Sequence, residues 1–394
     1  MRRQLLCALA LCACSSSAAD SPQAPGDSEP SDTSGAVDSS VDASNDAPSD
    51  VVDSSTLDAS LDADAPLDTL RAAAETTKRW IGAAVDVGTL GSDPTYAATL
   101  AREFDYLTPE NAMKWAPIQP SPTTWNFKGA DALVDFAKAH AMHVKGHALV
   151  WHQQVPSWIT PTMTAAELHA AMLDHIKTEV SHYKGRVEAW DVVNEAIADE
   201  GATKVGALGL RDSIFSKAFD ASFIADAFVA AHEADPDALL FYNDYGAEAG
   251  GAKSDRVYAL VKSLVDAKVP ISGVGMQMHI SASSPPKVAS LASNMKRLVA
   301  LGLSVNISEM DVQIHDVAGT EADKLAAQAR VYHDVVAACV AEPGCHAVTF
   351  WGFTDAHSWI PSFTGHADEA PLPFDKIYAK KPAYFSTLDA LLGK

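Results

Sequence analysis

Eight times between residues 80 and 355, a short apolar run ends in polar or aromatic residues, and longer segments of helical spacing lie between the runs. The runs are "WIGAAVDV" from Trp80, "FDYLTPEN" from Phe104, "HVKGHALVW" from His143, "VEAWDVVNE" from Val187, "ALLFYNDYG" from Ala238, "SGVGMQMHI" from Ser272, "LSVNISEMDV" from Leu303 and "HAVTFWGFTD" from His346. Intervening stretches such as "GADALVDFAKAHA" and "DRVYALVKSLVDAK" carry apolar residues three and four apart, the period of an amphipathic helix. Strands that are apolar on both faces belong in a parallel sheet covered by helices. Eight such units in about 325 residues fit an α/β fold of the (β/α)8 TIM-barrel type, although a doubly wound open sheet shows the same alternation.

The ends of the runs separate these two architectures. Glu110 and Asn111, His147 and Trp151, Asn194 and Glu195, Asn243 to Tyr245, Gln277 and His279, Glu309 and Asp311, and Trp351 and Asp355 all fall at C-terminal strand ends. An open sheet gathers its site at one switch point, whereas a closed barrel brings all its strand ends around one mouth. The pattern therefore predicts a single (β/α)8 barrel over residues 71–394.

What precedes residue 71 has a different character. "MRRQLLCALALCA", residues 1–13, pairs two arginines with an apolar stretch too short for a permanent membrane span, as in a secretory signal peptide. "LCAC" resembles the lipobox of bacterial lipoproteins, in which Cys14 would carry the lipid; ordinary cleavage at Ala18 or Ala19 is the alternative. From Ser15 to Leu70 there is no Lys, Arg or aromatic residue, so residues 14–70 read as a disordered Ser/Asp/Ala/Pro-rich tether spanning roughly 40 Å. The expected location is accordingly the bacterial cell envelope or surface as a lipoprotein, or otherwise the medium, with any membrane contact made through the N-terminal lipid.

Thirteen of the 51 acidic and two of the 29 basic residues lie before residue 71, so residues 71–394 keep 38 acidic against 27 basic ones. A net charge of about −11 argues against nucleic acid as a partner. Only Cys339 and Cys345 remain in the predicted domain, with five residues between them and a turn at Pro343–Gly344. In an exported protein they can close a disulfide; two reduced buried thiols are the other reading. The spacing is not that of a zinc site, and "GAAVDVG" on the first strand lacks paired histidines for a metal-dependent barrel hydrolase. No metal and no cofactor is expected.

Glu195 and Glu309 end apolar strands four and seven. Two carboxyl groups facing one cavity are what glycosidic cleavage requires: one protonates the leaving oxygen and the other answers the charge developing at the anomeric carbon. Asp311 lies two residues beyond Glu309, so both side chains project to the same side of the strand. His279, from the preceding strand, can bridge them, or can be an ordinary core histidine. Trp151, Trp351 and Trp359 sit at or beyond strand ends, where indole faces can stack on a pyranose or simply fill the core. "KPAYF" near the C-terminus reads as core.

The motifs "LTPENAMKW", "KGHALVWH", "WDVVNEA", "FYNDYG", "GVGMQMHI", "ISEMDV" and "FWGFTDAHSWI" occur in the order and spacing of glycoside hydrolase family 10, the endo-β-1,4-xylanases, which the chain resembles from about Trp80 to Tyr384. The resemblance implies a retaining hydrolase of internal β-1,4-xylosidic bonds in xylan and xylo-oligosaccharides, with Glu195 as acid/base and Glu309 as nucleophile. It implies that His279 and Asp311 support the nucleophile, Asn194 binds the 2-hydroxyl of the −1 sugar with Gln277 in its network, and His147 and Lys114 bind the 3-hydroxyl. It places Glu110 and Asn111 at subsite −2, Trp151, Trp351 and Trp359 as walls, and Tyr245 on the aglycone side. Gln119, Met310 and Ile360 depart from common family residues without removing a catalytic group. A retaining β-1,4-glucanase acting on cellulose or mixed-linkage glucan is one alternative, and a catalytically inactive surface glycan-binding protein another. A monomer is expected.

Overall fold

The structure, a computed structural model, describes residues 67–394. The expected signal peptide, Cys14 and nearly all of the tether lie outside the described residues. Eight parallel strands form the centre: β1 (Trp80–Val85), β2 (Tyr106–Pro109), β3 (His143–Trp151), β4 (Ala189–Asn194), β5 (Leu239–Asp244), β6 (Gly273–Met276), β7 (Ser304–Gln313) and β8 (Cys345–Phe350). Each pairs with its neighbours in sequence, and β8 pairs with both β7 and β1, so the sheet closes into a barrel. The helices following the strands are α1 (Pro94–Glu103), α2 (Lys128–Ala139), α3 (Ala165–His182), α4 (Ser222–Ala234), α5 (Ala252–Asp266), α6 (Val288–Val299), α7 (Glu321–Ala341) and α8 (Pro382–Leu391). The open doubly wound sheet is thereby excluded.

Local chemistry sets these elements. Every residue of β4 is buried, as expected of a strand with barrel interior on one side and helices on the other. Thr164 and Glu167 form a reciprocal capping box at the start of α3, and Thr320 with Asp323 does the same for α7. Gly146 lies opposite Trp190 in the β3–β4 register, and a Cβ there would come within 2.2 Å of the Trp190 ring. The large indole occupies space that only glycine leaves free.

Three expectations are corrected. The folded unit starts before residue 71: Thr69 caps the helix Leu70–Thr76, Leu70 is fully buried, and the Tyr384 hydroxyl lies 3.0 Å from the Asp68 carbonyl. The sixth run does not continue as one strand. After β6, Met278 takes a left-handed φ of 67°, and His279–Ser281 forms a separate short strand beside the end of β7. "KPAYF" is only partly core, since Tyr384 is buried against Glu103 but Phe385 is 52% exposed.

Cys339 at the end of α7 and Cys345 at the start of β8 form a buried disulfide. Among the described residues no helix is long and apolar enough to cross a membrane.

Candidate active site

Glu195 follows the last residue of β4, at the C-terminal mouth of the barrel. Trp151 Nε1 donates to its Oε2 at 2.9 Å, and Gln277 Nε2 donates to its Oε1 at 3.0 Å. Burial pushes the carboxyl above the usual range; those two donors pull it down, while the negative charges of Asp244 and Glu309 push it further up. The upward influences win, so the Glu195 carboxyl lies above its ordinary value.

Glu309 lies within β7 and is also buried, but different neighbours reverse the outcome. Asn243 Nδ2 donates to Oε1 at 2.6 Å, and His279 Nε2 lies 3.2 Å from Oε2. Burial favours the neutral acid, yet the His279 contact and the electrostatic influence of His147, His279 and Lys145 bring it below the ordinary value. His279 reaches Asp311 Oδ2 through Nδ1 at 2.9 Å. Burial opposes charging of that imidazole, but Asp311 and Glu309 raise it well above its normal value. It is therefore an imidazolium donating to both carboxylates. Trp359 Nε1 donates to the same Asp311 oxygen at 2.9 Å, so Trp359 supports the network as well as lining the mouth.

A chain of amides connects the two glutamates. Asn194 Oδ1 accepts from Asn243 Nδ2 at 2.9 Å and from Gln277 Nε2 at 3.1 Å, so a line of contacts runs from Glu195 through Gln277, Asn194 and Asn243 to Glu309. Strand register creates it, since Asn194 lies opposite Asn243 and β5 pairs with β6. Asn243 is one of the strand-end polar residues of the sequence, but nothing in its spacing assigned it a partner.

Two further residues belong to this site without having been singled out from the sequence. His147 Nδ1 lies 2.9 Å from Asp191 Oδ2, and Lys145 Nζ lies 2.9 Å from the same oxygen. Burial disfavours the Asp191 carboxylate, but Lys145 and His147 more than offset this and lower its pKa. Ionised Asp191 fixes the proton on His147 Nδ1 and leaves Nε2 for another partner. His147, Asp191 and Glu309 have the composition of a metal site, but Lys145 already supplies the positive charge at Asp191. No sequence signal marked this pairing, because His147 and Asp191 become opposite residues only through the register of adjacent strands.

The neighbouring wall carries Glu110, Asn111 and Lys114. Asn111 Oδ1 accepts from Lys114 Nζ at 3.0 Å, and Asn111 Nδ2 lies 3.4 Å from Glu110 Oε1. Lys114 Nζ sits 4.8 Å from the Trp151 ring centre and 5.8 Å from that of Trp351, joining this wall to the glutamates. Trp351 meets His147 edge-on at 5.0 Å. Tyr245 stands apart in a charged cluster: its hydroxyl bonds Asp199 at 2.5 Å and accepts from Arg211, whose Nε binds the Glu195 carbonyl. Asp355 does not join the mouth. It forms a buried ion pair with Lys381 at 2.8 Å and anchors the C-terminal segment.

Breaking an acetal needs one group that gives a proton and another that meets positive charge at carbon, with the sugar held between them. Buried carboxyl groups of opposed proton affinity, set among tryptophans at a barrel mouth, define the class: a two-carboxylate glycoside hydrolase.

The chain belongs to glycosyl hydrolase family 10, whose family profile matches residues 69–390. Endo-1,4-beta-xylanase B of Thermotoga neapolitana is 41% identical over 328 residues, covering 82% of this chain and 92% of the relative. The crystal structure of xylanase 10B from Thermotoga petrophila RKU-1 in complex with xylobiose matches with a TM-score of 0.77 at 41% identity, covering 82% of this chain and 97% of that one. Native xylanase 10B from Thermotoga maritima matches with a TM-score of 0.77 at 42% identity, covering 82% and 98%.

Proposed function

We propose that this protein is an endo-1,4-β-xylanase that cleaves xylan and xylo-oligosaccharides by double displacement with retention. The opposed proton affinities of Glu195 and Glu309, both buried and joined through Gln277, Asn194 and Asn243, carry the assignment of roles. Glu309 attacks the anomeric carbon as the C–O bond to the aglycone breaks, and Glu195 gives its proton to the departing oxygen. A water then gives its proton to Glu195 and attacks the glycosyl–Glu309 ester, releasing the sugar and restoring both groups. His279 and Asp311 keep Glu309 charged and oriented. Asn194, Gln277, His147 and Lys114 face the −1 sugar, Glu110 and Asn111 serve subsite −2, Trp151, Trp351 and Trp359 form the walls, and Tyr245 lies on the aglycone side.

Glu309→Ala is the decisive variant. It should abolish xylan hydrolysis, and azide with an aryl β-xylobioside should yield the inverted glycosyl azide. Retained turnover in Glu309→Ala, or a retained-configuration azide, overturns the assignment of the nucleophile. Product formation from arabinoxylan, glucuronoxylan and β-glucan separates xylanase from glucanase activity; turnover itself excludes an inactive glycan-binding protein.

We further propose export with lipid on Cys14 and the segment between Cys14 and the folded unit as a tether. The lipobox-like "LCAC" supports this reading. Mass analysis of the mature N-terminus tests it: a start after Ala18 or Ala19, without lipid, removes the anchor.

A further inference from the structure

Gln277 serves Glu195 and His279 serves Glu309, yet these two side chains are separated in sequence only by Met278. That residue is fully buried and left-handed at φ 67°, a conformation that non-glycine residues hold only when the surroundings impose it. Its N–H donates at 3.1 Å to Oε1 of Glu248, in the loop between β5 and α5. The same oxygen accepts from Gly246 at 3.0 Å.

The loop is held from behind. Asn294 of α6 donates to the carbonyls of Ala247 at 2.9 Å and Glu248 at 3.0 Å. Ser254 and Arg297 in turn donate to Asn294 Oδ1 at 2.9 and 2.7 Å. Helix α6 thus fixes the loop, the loop fixes Glu248, and Glu248 fixes the peptide from which Gln277 and His279 diverge.

We propose that Glu248 is a positioning residue for both reacting carboxylates, holding the Met278 peptide so that Gln277 reaches Glu195 while His279 reaches Glu309. This rests on Glu195 and Glu309 being the reacting pair. Glu248 is not itself in contact with either. Its charged neighbour is Lys253, and an acceptor oxygen suffices for the contact, so a glutamine can replace it.

The consequence has a definite sign. Gln277 lowers the pKa of Glu195, and His279 lowers that of Glu309. Releasing Met278 weakens both contacts, so both pKa values rise. Around Glu195 the charged groups are Glu309, Asp244, Arg211 and Lys114, with neutral His152 3.9 Å away. Around Glu309 the titratable groups are Glu195, His279, His147, Lys145, Lys114 and Asp191, a carboxylate oxygen of which lies within 4.8 Å of Glu309. None of these is replaced by a change at residue 248.

The test is the pH dependence of kcat/KM on xylohexaose for wild type, Glu248→Ala, Glu248→Asp and Glu248→Gln, each checked for folding by circular dichroism. Glu248→Ala and the shorter Glu248→Asp should lower kcat/KM about tenfold and move both limbs upward by on the order of half a pH unit. Glu248→Gln should restore the wild-type profile. Asn294→Ala, which loosens the same loop with Glu248 intact, should move both limbs in the same direction and reports on the anchor if the residue-248 variants fail to fold. Unmoved limbs in a folded Glu248→Ala or in Asn294→Ala overturn the proposal, as does movement of one limb alone. Wild-type enzyme inactive on xylohexaose would instead defeat the underlying function.

Discussion

At Glu195 the backbone leaves β4 in a left-handed conformation, φ 57°, which costs a non-glycine residue about 1–3 kcal/mol. Two contacts hold it there: the Glu195 N–H donates to the Asn243 carbonyl at 2.8 Å, and Arg211 Nε donates to the Glu195 carbonyl at 3.0 Å. The turn carries the side chain from the strand into the mouth, where burial makes it an acid. Activity should consequently fall on the alkaline side as Glu195 loses its proton and on the acidic side as Glu309 gains one. Glu195→Ala should slow xylan hydrolysis by 10²–10⁴-fold and remove the alkaline limb, while glycosylation by an aryl β-xylobioside with an acidic leaving group falls far less. Steady-state and burst kinetics at several pH values check this. Glu309 and Asp311 were legible because period-two alternation along one strand says which side chains share a face, and His279 was legible as a candidate bridge because it lies at the end of the preceding run. Asn243, Asp191 and Lys145 were not assigned partners, because those lie across strands and a sequence does not display its register.

Between elements, small residues make room for the polar ones that matter. A Cβ on Gly275 of β6 would come within 2.1 Å of Asn243 Oδ1 and 3.1 Å of Ser308 Oγ. Asn243 is also the residue that binds both Asn194 and Glu309. Gly275→Ala should therefore displace the amide from the two sites and reduce kcat about 10²-fold, with the helical circular dichroism signal preserved. The Cys339–Cys345 bond acts at the opposite end of the barrel, where β8 begins. Closing so short a loop contributes about 2 kcal/mol in the chain-entropy description. Replacing both cysteines by serine should lower Tm by several degrees and leave kcat unchanged, as scanning calorimetry and a xylan assay would show. The cysteine spacing left open whether this bond forms; the break of the sixth run at Met278 had no sequence signal, and the Glu248 oxygen that its N–H meets belongs to another loop.

Closure of the barrel was legible from the chain as a whole, since polar residues at seven strand ends have a common use only if those ends meet. The surrounding field also belongs to this scale. Residues 71–394 carry 38 acidic and 27 basic side chains, an excess that repels negative polymers and leaves neutral ones unaffected. Linear xylan has no charge for this field to act on, whereas a glucuronate branch carries one near the protein surface. Mobile ions screen such repulsion over about 10 Å at 0.1 M, against 30 Å at 0.01 M. At fixed pH, raising salt from 0.01 to 0.15 M should therefore increase kcat/KM on glucuronoxylan about two- to threefold, a free-energy change on the order of RT, with little change on unbranched xylan. The comparison must use both substrates, because a specific ion effect on the catalytic groups would move both together. A fall on glucuronoxylan alone would mean that local cations such as Lys114 and Arg211 outweigh the net charge at the mouth, so that the acidic branch is attracted despite the global repulsion, whereas an equal response of the two would place the effect on the catalytic groups and overturn the prediction.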